Sequence, residues 1–326
     1  MTMARVARIE TTGGPEVIRF HDEELPAPAA GEVRVRNTAV GLNFIDTYHR
    51  RGIYPVTLPA DLGVEGVGVV EAAGDGATDF TPGQRVGYFG PERGAYATHR
   101  LIAAASLFPL PDDIDDETAA AALLKGCTVE FLVERCAKVR PGWPVLVHAA
   151  AGGVGLILVQ WLKAVGATVI GTVSTQDKAE KARAAGADHI IFYQREDTAA
   201  RVRELTGGAG VRVVFDGVGM STWESSLDSC GIRGLVVNYG NADAPVGGVN
   251  LGILAMKGSL YNTRPMLYHY YATPEERAAG VARLWDMLRS GQVKISIGQR
   301  YRLEDAAQAH IDLEGRRTTG STLLLP

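Results

Sequence analysis

VLVHAAAGGVGLILVQ, Val145 to Gln160, passes without a full charge from an apolar run, through a knot of small residues, into a second apolar run. An apolar strand, a small-residue turn and a helix start, in that order, make a phosphate site. The first N–H groups of a helix have no partner within it, and its dipole favours an anion there. The stretch does not spell G-x-G-x-x-G. Ala149, Gly152 and Gly155 nevertheless keep side chains small where a backbone must approach a pyrophosphate. A tight strand–helix turn with no ligand is the plain alternative.

Outward from this loop, the chain repeats one rhythm. VLVHAA is followed by VGLILVQWLKAVG, TVIGTV by DKAEKARAAG, HIIFY by TAARVRELTGG, and VRVVFD by STWESSLDSC and GLVVNYG. Strands alternating with helices over short connections predict a doubly wound parallel sheet. Gly166, Gly186 and Gly207 stand where glycines end helices. The preceding DDETAAAALLKGCTVEFLVERCA, with acids in its first turn, predicts a helix.

The residues before about 115 read differently. ARVARIE, EVRVRNTAVGLN, GVGVVEAAG, QRVGYF and AYATHRLI are short strands punctuated by Gly and Pro. Val33 and Val35 alternate with Arg34 and Arg36, one face apolar and the other charged. Helical pattern is scarce, which predicts an antiparallel β-rich domain. The last segments, TPEERAAGVARLWDMLRSG, KISIGQRYRL, EDAAQAHIDLEG and GSTLLLP, break the alternation. They are expected to return to the β-rich domain, giving 1–126 plus 264–326 around an inserted 127–263.

With 39 glycines among 326 residues, a bare G-x-G means little. Gly66-Val67-Gly68 opens no helix and reads as strand glycines. Gly217-Val218-Gly219 follows a strand and precedes a helix, a weaker candidate at the same sheet edge. The choice of nucleotide rests on the end of the second strand, where NAD-binding folds carry a carboxylate for the ribose hydroxyls. Here stand Ser174 and Thr175, then Lys178, while Asp177 already belongs to the next helix. Hydroxyls and an ammonium suit a 2′-phosphate that a carboxylate would repel, which favours NADPH over NADH.

Composition limits the remaining classes. A net charge of −4 and the absence of a Lys/Arg-rich run argue against a nucleic-acid surface. Cys127, Cys136 and Cys230 form neither a disulfide framework nor a C-x-x-C metal pair. No apolar leader or eighteen-residue apolar run occurs, so a soluble, cytoplasmic protein is expected. His148 reads as a satisfied core or loop residue, and His49 as a solvated loop residue.

GGPEV, GLNFIDTYHRRGIYP, HAAAGGVG, VVFDGVG, VNLGILAMKGSLYNTRP and TTGSTLLLP, spread over nearly the whole chain, carry a family likeness. The sequence resembles the zinc-independent, ζ-crystallin-like quinone oxidoreductases of the medium-chain dehydrogenase/reductase superfamily. The resemblance implies a GroES-like catalytic domain holding a Rossmann domain, a homodimer formed through the nucleotide domain, and a substrate pocket between the domains. Zinc-dependent relatives carry Cys and His ligands near residues 43 and 64. Asn43 and Val64 stand there, which implies no metal.

By the same resemblance Asn43, Tyr48, Tyr54 and Arg264 line the substrate site. Thr128, Gly152, Gly153, Val154, Ser174, Thr175, Lys178, Tyr193, Tyr239, Gly240 and Arg316 join Asn43 around NADPH, with Arg317 an adjacent competitor of Arg316. The expected activity is quinone reduction without metal or flavin, with one- and two-electron products both open. An enone or alkenal reductase needs the same hydride geometry. A low-turnover NADPH-binding protein, crystallin-like or RNA-binding, is the alternative of another class.

Overall fold

The computed structural model describes residues 2–326 and divides into two compact units. One takes the chain up to Leu124 together with Ile297–Pro326; the other takes Lys125–Ser296.

The second unit is built on a six-stranded parallel sheet. Its strands lie in the order His189–Phe192, Thr168–Val173, Pro144–Val147, Val211–Asp216, Cys230–Asn238 and Tyr261–Thr263. Val145, Leu146 and Val147 are wholly buried, as a central strand covered on both faces requires. Connections run outward in both directions from this strand, so the strand order reverses beside it. The crevice at the carboxyl ends there is where such sheets take ligands. Leu146, Ile170, Val202, Val214, Trp223 and Val236 share one apolar core.

The other unit carries a seven-stranded sheet. Glu32–Leu42 lies at its centre, paired antiparallel with Glu65–Ala73, His99–Ala103 and Ser321–Leu325. The strands before residue 115 pair antiparallel, as expected, and at the edge the C-terminal Ile297–Arg302 runs parallel to Ser321–Leu325. A smaller sheet joins Arg19–Leu25, Thr2–Ile9 and Ala60–Asp61. Val33 and Val35 are fully buried, while Arg34 and Arg36 keep solvent contact and pair with Glu71, as the alternation predicts. Leu303, Ala306, Ala309 and Leu324 enter the core of Val33, Val35 and Leu62, which brings the C-terminus home to this unit.

That return begins at Ile297, later than the 264 boundary read from the sequence. The reason is the helix Pro274–Arg289. Thr273 and Glu276 cap its start reciprocally, and Val281, Leu284, Trp285 and Met287 are buried on one side. Leu284 packs on Gly126 so closely that a Cβ there would meet Leu284 Cδ1 at 2.4 Å, fixing this helix in the nucleotide unit.

A second difference lies at Phe44–Arg51, which is a helix and not a loop. The Asn43 N–H donates to Asp46 Oδ2 at 2.9 Å, and Gly52 in the left-handed conformation ends the helix. Tyr48 and His49 therefore stand on a buried helical face, 4 % and 8 % exposed. The expectation of a solvated His49 fails on this point. Burial, reinforced by Arg93, pushes its imidazole down to about 4.

Candidate active site

In the nucleotide unit, the helix Gly153–Val165 starts from Gly152 in extended conformation directly after the central strand and its turn. Ala149 adopts φ +52°, and a Cβ on Gly155 would sit 2.3 Å from the Ala149 carbonyl oxygen. No larger side chain fits at 155 without opening the turn. Gly152, Gly153 and Val154 are half-buried at this helix start. Their backbone forms the turn in which the sequence reading expects an anion cradle.

A network that the sequence did not reveal holds this turn from behind. Asp216, fully buried, accepts from the N–H groups of Val218 and Gly219 at 2.8 and 3.1 Å. It also accepts from the hydroxyls of Thr222 and Ser226, both at 2.7 Å. Because Ser226 spends its hydrogen on Asp216, it must accept from His148 Nε2–H, 3.0 Å away. His148 Nδ1 then accepts from the Thr172 hydroxyl at 3.2 Å, and Thr172 Oγ1 accepts from Ala149 N–H at 3.3 Å. The Gly217–Gly219 turn and the Ala149 turn are thus braced through one chain of hydrogen bonds. Burial pushes the His148 pKa down against the pull of Asp216 and keeps the ring neutral. His148 is the satisfied core residue the sequence suggested.

At the next strand end, Tyr239 lies against Gly217, where a Cβ would meet its ring at 2.8 Å. Gly240 approaches the Gly217 carbonyl so closely that its own Cβ would stand 2.4 Å away. Arg264 follows the edge strand Tyr261–Thr263 and reaches this loop. With the Asn241 amide turned so that donors meet acceptors, its oxygen takes Arg264 Nη2–H at 3.3 Å and its nitrogen donates to the Gly240 carbonyl at 2.9 Å. The structure therefore joins Arg264 to Gly240 through Asn241, a residue the sequence reading missed.

Ser174 is half-buried at the end of Thr168–Val173. Thr175 caps the helix Gln176–Ala184, its hydroxyl accepting from Lys178 N–H at 3.4 Å. Asp177 points along this helix to Lys181, 3.0 Å away, and so turns from the strand end. Tyr193 stands just beyond His189–Phe192, 38 % exposed. Thr128 is half-buried on the helix Asp116–Glu130.

In the β-rich unit, the N–H groups of Ile53 and Tyr54 fold back to the Tyr48 carbonyl at 2.9 and 3.2 Å. The turn sets the Tyr54 ring edge-on to Tyr48, centroids 5.3 Å apart, with His49 on its other side at 6.0 Å. Asn43 is 8 % exposed at the start of the same helix, and its amide reaches Glu65 Oε2 at 2.8 Å. Asn43, Tyr48 and Tyr54 thus gather on one short segment, and Glu65 is the member that sequence reasoning passed over. Arg316 is exposed after the helix Ala306–Glu314 with φ +58°, while Arg317 pairs with Asp312 at 3.0 Å.

The donor set near residues 43 and 64 does not fit zinc. Asn43 offers an amide and Val64, wholly buried, a hydrocarbon, where zinc takes thiolate, imidazole or carboxylate. Among the described residues, no three His, Cys, Asp or Glu side chains stand together as a metal site. No helix among them is long and apolar enough to cross a membrane.

Comparison with known proteins gives two family matches, an alcohol dehydrogenase GroES-like domain over 29–112 and a zinc-binding dehydrogenase domain over 153–275. A quinone oxidoreductase of Pseudomonas aeruginosa is 51 % identical, covering 99 % of this chain and 100 % of that protein. A quinone oxidoreductase of Escherichia coli crystallised with NADPH superposes with a TM-score of 0.97 at 46 % identity, over 99 % of this chain and 100 % of that one. A 2-haloacrylate reductase of Burkholderia is 44 % identical over 99 % of both chains.

Proposed function

Since the chain belongs to the quinone oxidoreductase family, we propose that it reduces quinones with NADPH and works without a bound metal or flavin. The observation that carries the cofactor assignment is the corner at Ser174, Thr175 and Lys178. Two hydroxyl residues and a lysine stand within five positions at the positive end of a nine-residue helix, and the Asp177 carboxylate pairs with Lys181.

The backbone of Gly152, Gly153 and Val154 holds the pyrophosphate. Ser174, Thr175 and Lys178 hold the 2′-phosphate; Thr128, Tyr193, Tyr239, Gly240 and Arg316 complete the nucleotide contacts. When bound, NADPH supplies a hydride equivalent. Tyr48 or Tyr54 hydrogen-bonds the substrate oxygen or relays a proton to it, and Arg264 balances the negative charge that develops there. An electron-poor quinone suits this set, because its reduction asks for less polarisation than that of a simple ketone.

The chain is proposed to act as a homodimer. Met256, Leu251, Ile232 and Tyr261 expose 90, 75, 73 and 62 % of their surface around the edge strand Tyr261–Thr263 of the nucleotide unit. An open strand edge flanked by large apolar side chains is a surface that a second copy can cover. Three cysteines, none of them in a disulfide, suit a reducing compartment and support the proposed cytoplasmic location.

A substrate screen tests the function. NADPH oxidation driven by quinones and not by 2-haloacrylates or alkenals is the expected result. The reverse order would make the chain an activated-alkene reductase. Tight NADPH binding with no turnover on either class would refute the enzymatic reading.

A further inference from the structure

Glu65 is completely buried at the start of the strand Glu65–Ala73 and sits beside the position at which the zinc-dependent pattern fails. Its Oε1 accepts from the Leu124 N–H at 2.6 Å, and its Oε2 accepts from Asn43 Nδ2 at 2.8 Å. Asn43 Nδ2 also donates to the Gly41 carbonyl at 3.2 Å. An amide nitrogen has two hydrogens, and both are spent. Turning the amide over would set Asn43 Oδ1 against the Gly41 carbonyl and the Glu65 carboxylate, oxygen on oxygen. The orientation therefore follows from the neighbours' chemistry.

Space at residue 41 serves the same contact. A Cβ on Gly41 would lie 2.1 Å from Glu65 Oε2 and 2.6 Å from the Ala120 carbonyl, so only glycine admits the carboxylate to Asn43.

We infer that Glu65 is a positioning residue that makes Asn43 a hydrogen-bond acceptor toward the bound ligands. Asn43 Oδ1 already accepts from the Asp46 N–H in the capping box of the helix Phe44–Arg51; its second lone pair takes an N–H or O–H of the ligand, and Asn43 does not donate to the quinone oxygen. The inference rests on the proposed NADPH–quinone reading together with the family resemblance, which implies that Asn43 lines the substrate site and contacts NADPH. The donor is a carboxamide or hydroxyl of the nucleotide, or a hydroxyl of the reduced substrate.

A double-mutant cycle on the full-length protein tests it, read by NADPH fluorescence titration, quinone kinetics and thermal melting. In Glu65→Gln the new side-chain oxygen keeps the Leu124 N–H, so the new amide nitrogen confronts the Asn43 nitrogen. Loss of one well-placed hydrogen bond is expected to weaken binding about tenfold. A loss in NADPH affinity assigns the donor to the nucleotide; a loss in quinone kcat/KM alone assigns it to the substrate. Asn43→Asp sets carboxylate against carboxylate and also weakens the protein. When Glu65→Gln and Asn43→Asp are combined, the introduced amide donates to one oxygen of the introduced carboxylate. The other oxygen is again an acceptor, and although the Gly41 carbonyl loses its donor, function recovers part of the way toward wild type.

Losses that simply multiply in the double variant, or wild-type binding and kinetics in Glu65→Gln, overturn the inference. Should Glu65→Gln alone fail to fold, the double variant decides. NADPH affinity and kcat/KM above those of Asn43→Asp support positioning, and a folded protein no better than Asn43→Asp refutes it. A wild-type protein that neither binds NADPH nor reduces quinones refutes the proposed function instead, a distinct result.

Discussion

His310 has no exposed surface, and its Nδ1 faces Arg50 Nη1 at 3.0 Å. A guanidinium can only donate, so Nδ1 accepts and the ring's hydrogen sits on Nε2, pointing at the Tyr96 oxygen 3.0 Å away. The Tyr96 hydroxyl in turn donates to Asp46 Oδ2 at 3.0 Å, and Arg50 holds Glu314 with both its oxygens at 2.9 Å. Burial first, and the Arg50 charge second, push the His310 pKa down to about 3. In the unfolded chain it returns to about 6.5.

A lowered folded pKa means that the unfolded state binds more protons between these two values, so stability falls as pH drops below about 6.5. The loss continues until the folded pKa is reached. At pH 5 the unfolded imidazole is favoured by a factor of roughly 30, or about 2 kcal/mol, against about 0.2 kcal/mol at pH 7. Urea unfolding of the wild type and of His310→Gln at both pH values checks this. Glutamine offers an acceptor to Arg50 and a donor to Tyr96 but takes no proton. The wild type should lose about 2 kcal/mol more than the variant on going from pH 7 to 5. His49, also held neutral, is common to both proteins and cancels. Equal losses would refute the assignment of a neutral, unprotonatable His310.

Gly155→Ala drives a Cβ into the Ala149 carbonyl and should cost about 1–3 kcal/mol of stability, as overpacking does. NADPH affinity should fall at least about tenfold in the same variant, and unchanged melting and fluorescence titration would remove the phosphate cradle at this turn. Lys178→Ala should cut the ratio of NADPH to NADH affinity by about tenfold, the worth of one charge-assisted contact; an unchanged ratio places the 2′-phosphate elsewhere. Replacing Met256 and Ile232 with Glu puts two charges on the exposed apolar edge. Analytical ultracentrifugation should then shift the protein from dimer to monomer, and a monomeric wild type would end the dimer proposal.

Much of this protein is written locally. The apolar strand at Val145–Val147, the small residues at 149, 152 and 155, and Gly166, Gly186 and Gly207 after their helices act over a few residues. Their physics, backbone reach and the orphan N–H groups of a helix start, needs no distant partner, so the parallel sheet and its small-residue turn were legible directly. Ser174, Thr175 and Lys178 belong to the same class, being adjacent residues at one strand end. The short helix Phe44–Arg51 also carried a local signal, Asn43 with Asp46 three residues on and Gly52 at the end. It was masked by the strand-rich texture around it.

What tertiary structure decided is which polar groups meet inside. Asn43 and Glu65 are 22 residues apart, and Arg50 and His310 are 260 apart. His148 reaches Asp216 only through Ser226, and Arg264 meets the Gly240 turn through Asn241. No periodicity announces such pairs, because a buried donor or acceptor takes whatever partner the fold delivers, and leaving it without one is costly. The sequence by itself determined that the chain would build a strand, a small-residue turn and a helix start fit for a nucleotide. Only the packed structure decided which way the Asn43 amide would face, because that follows from two acceptors brought together by sheet pairing.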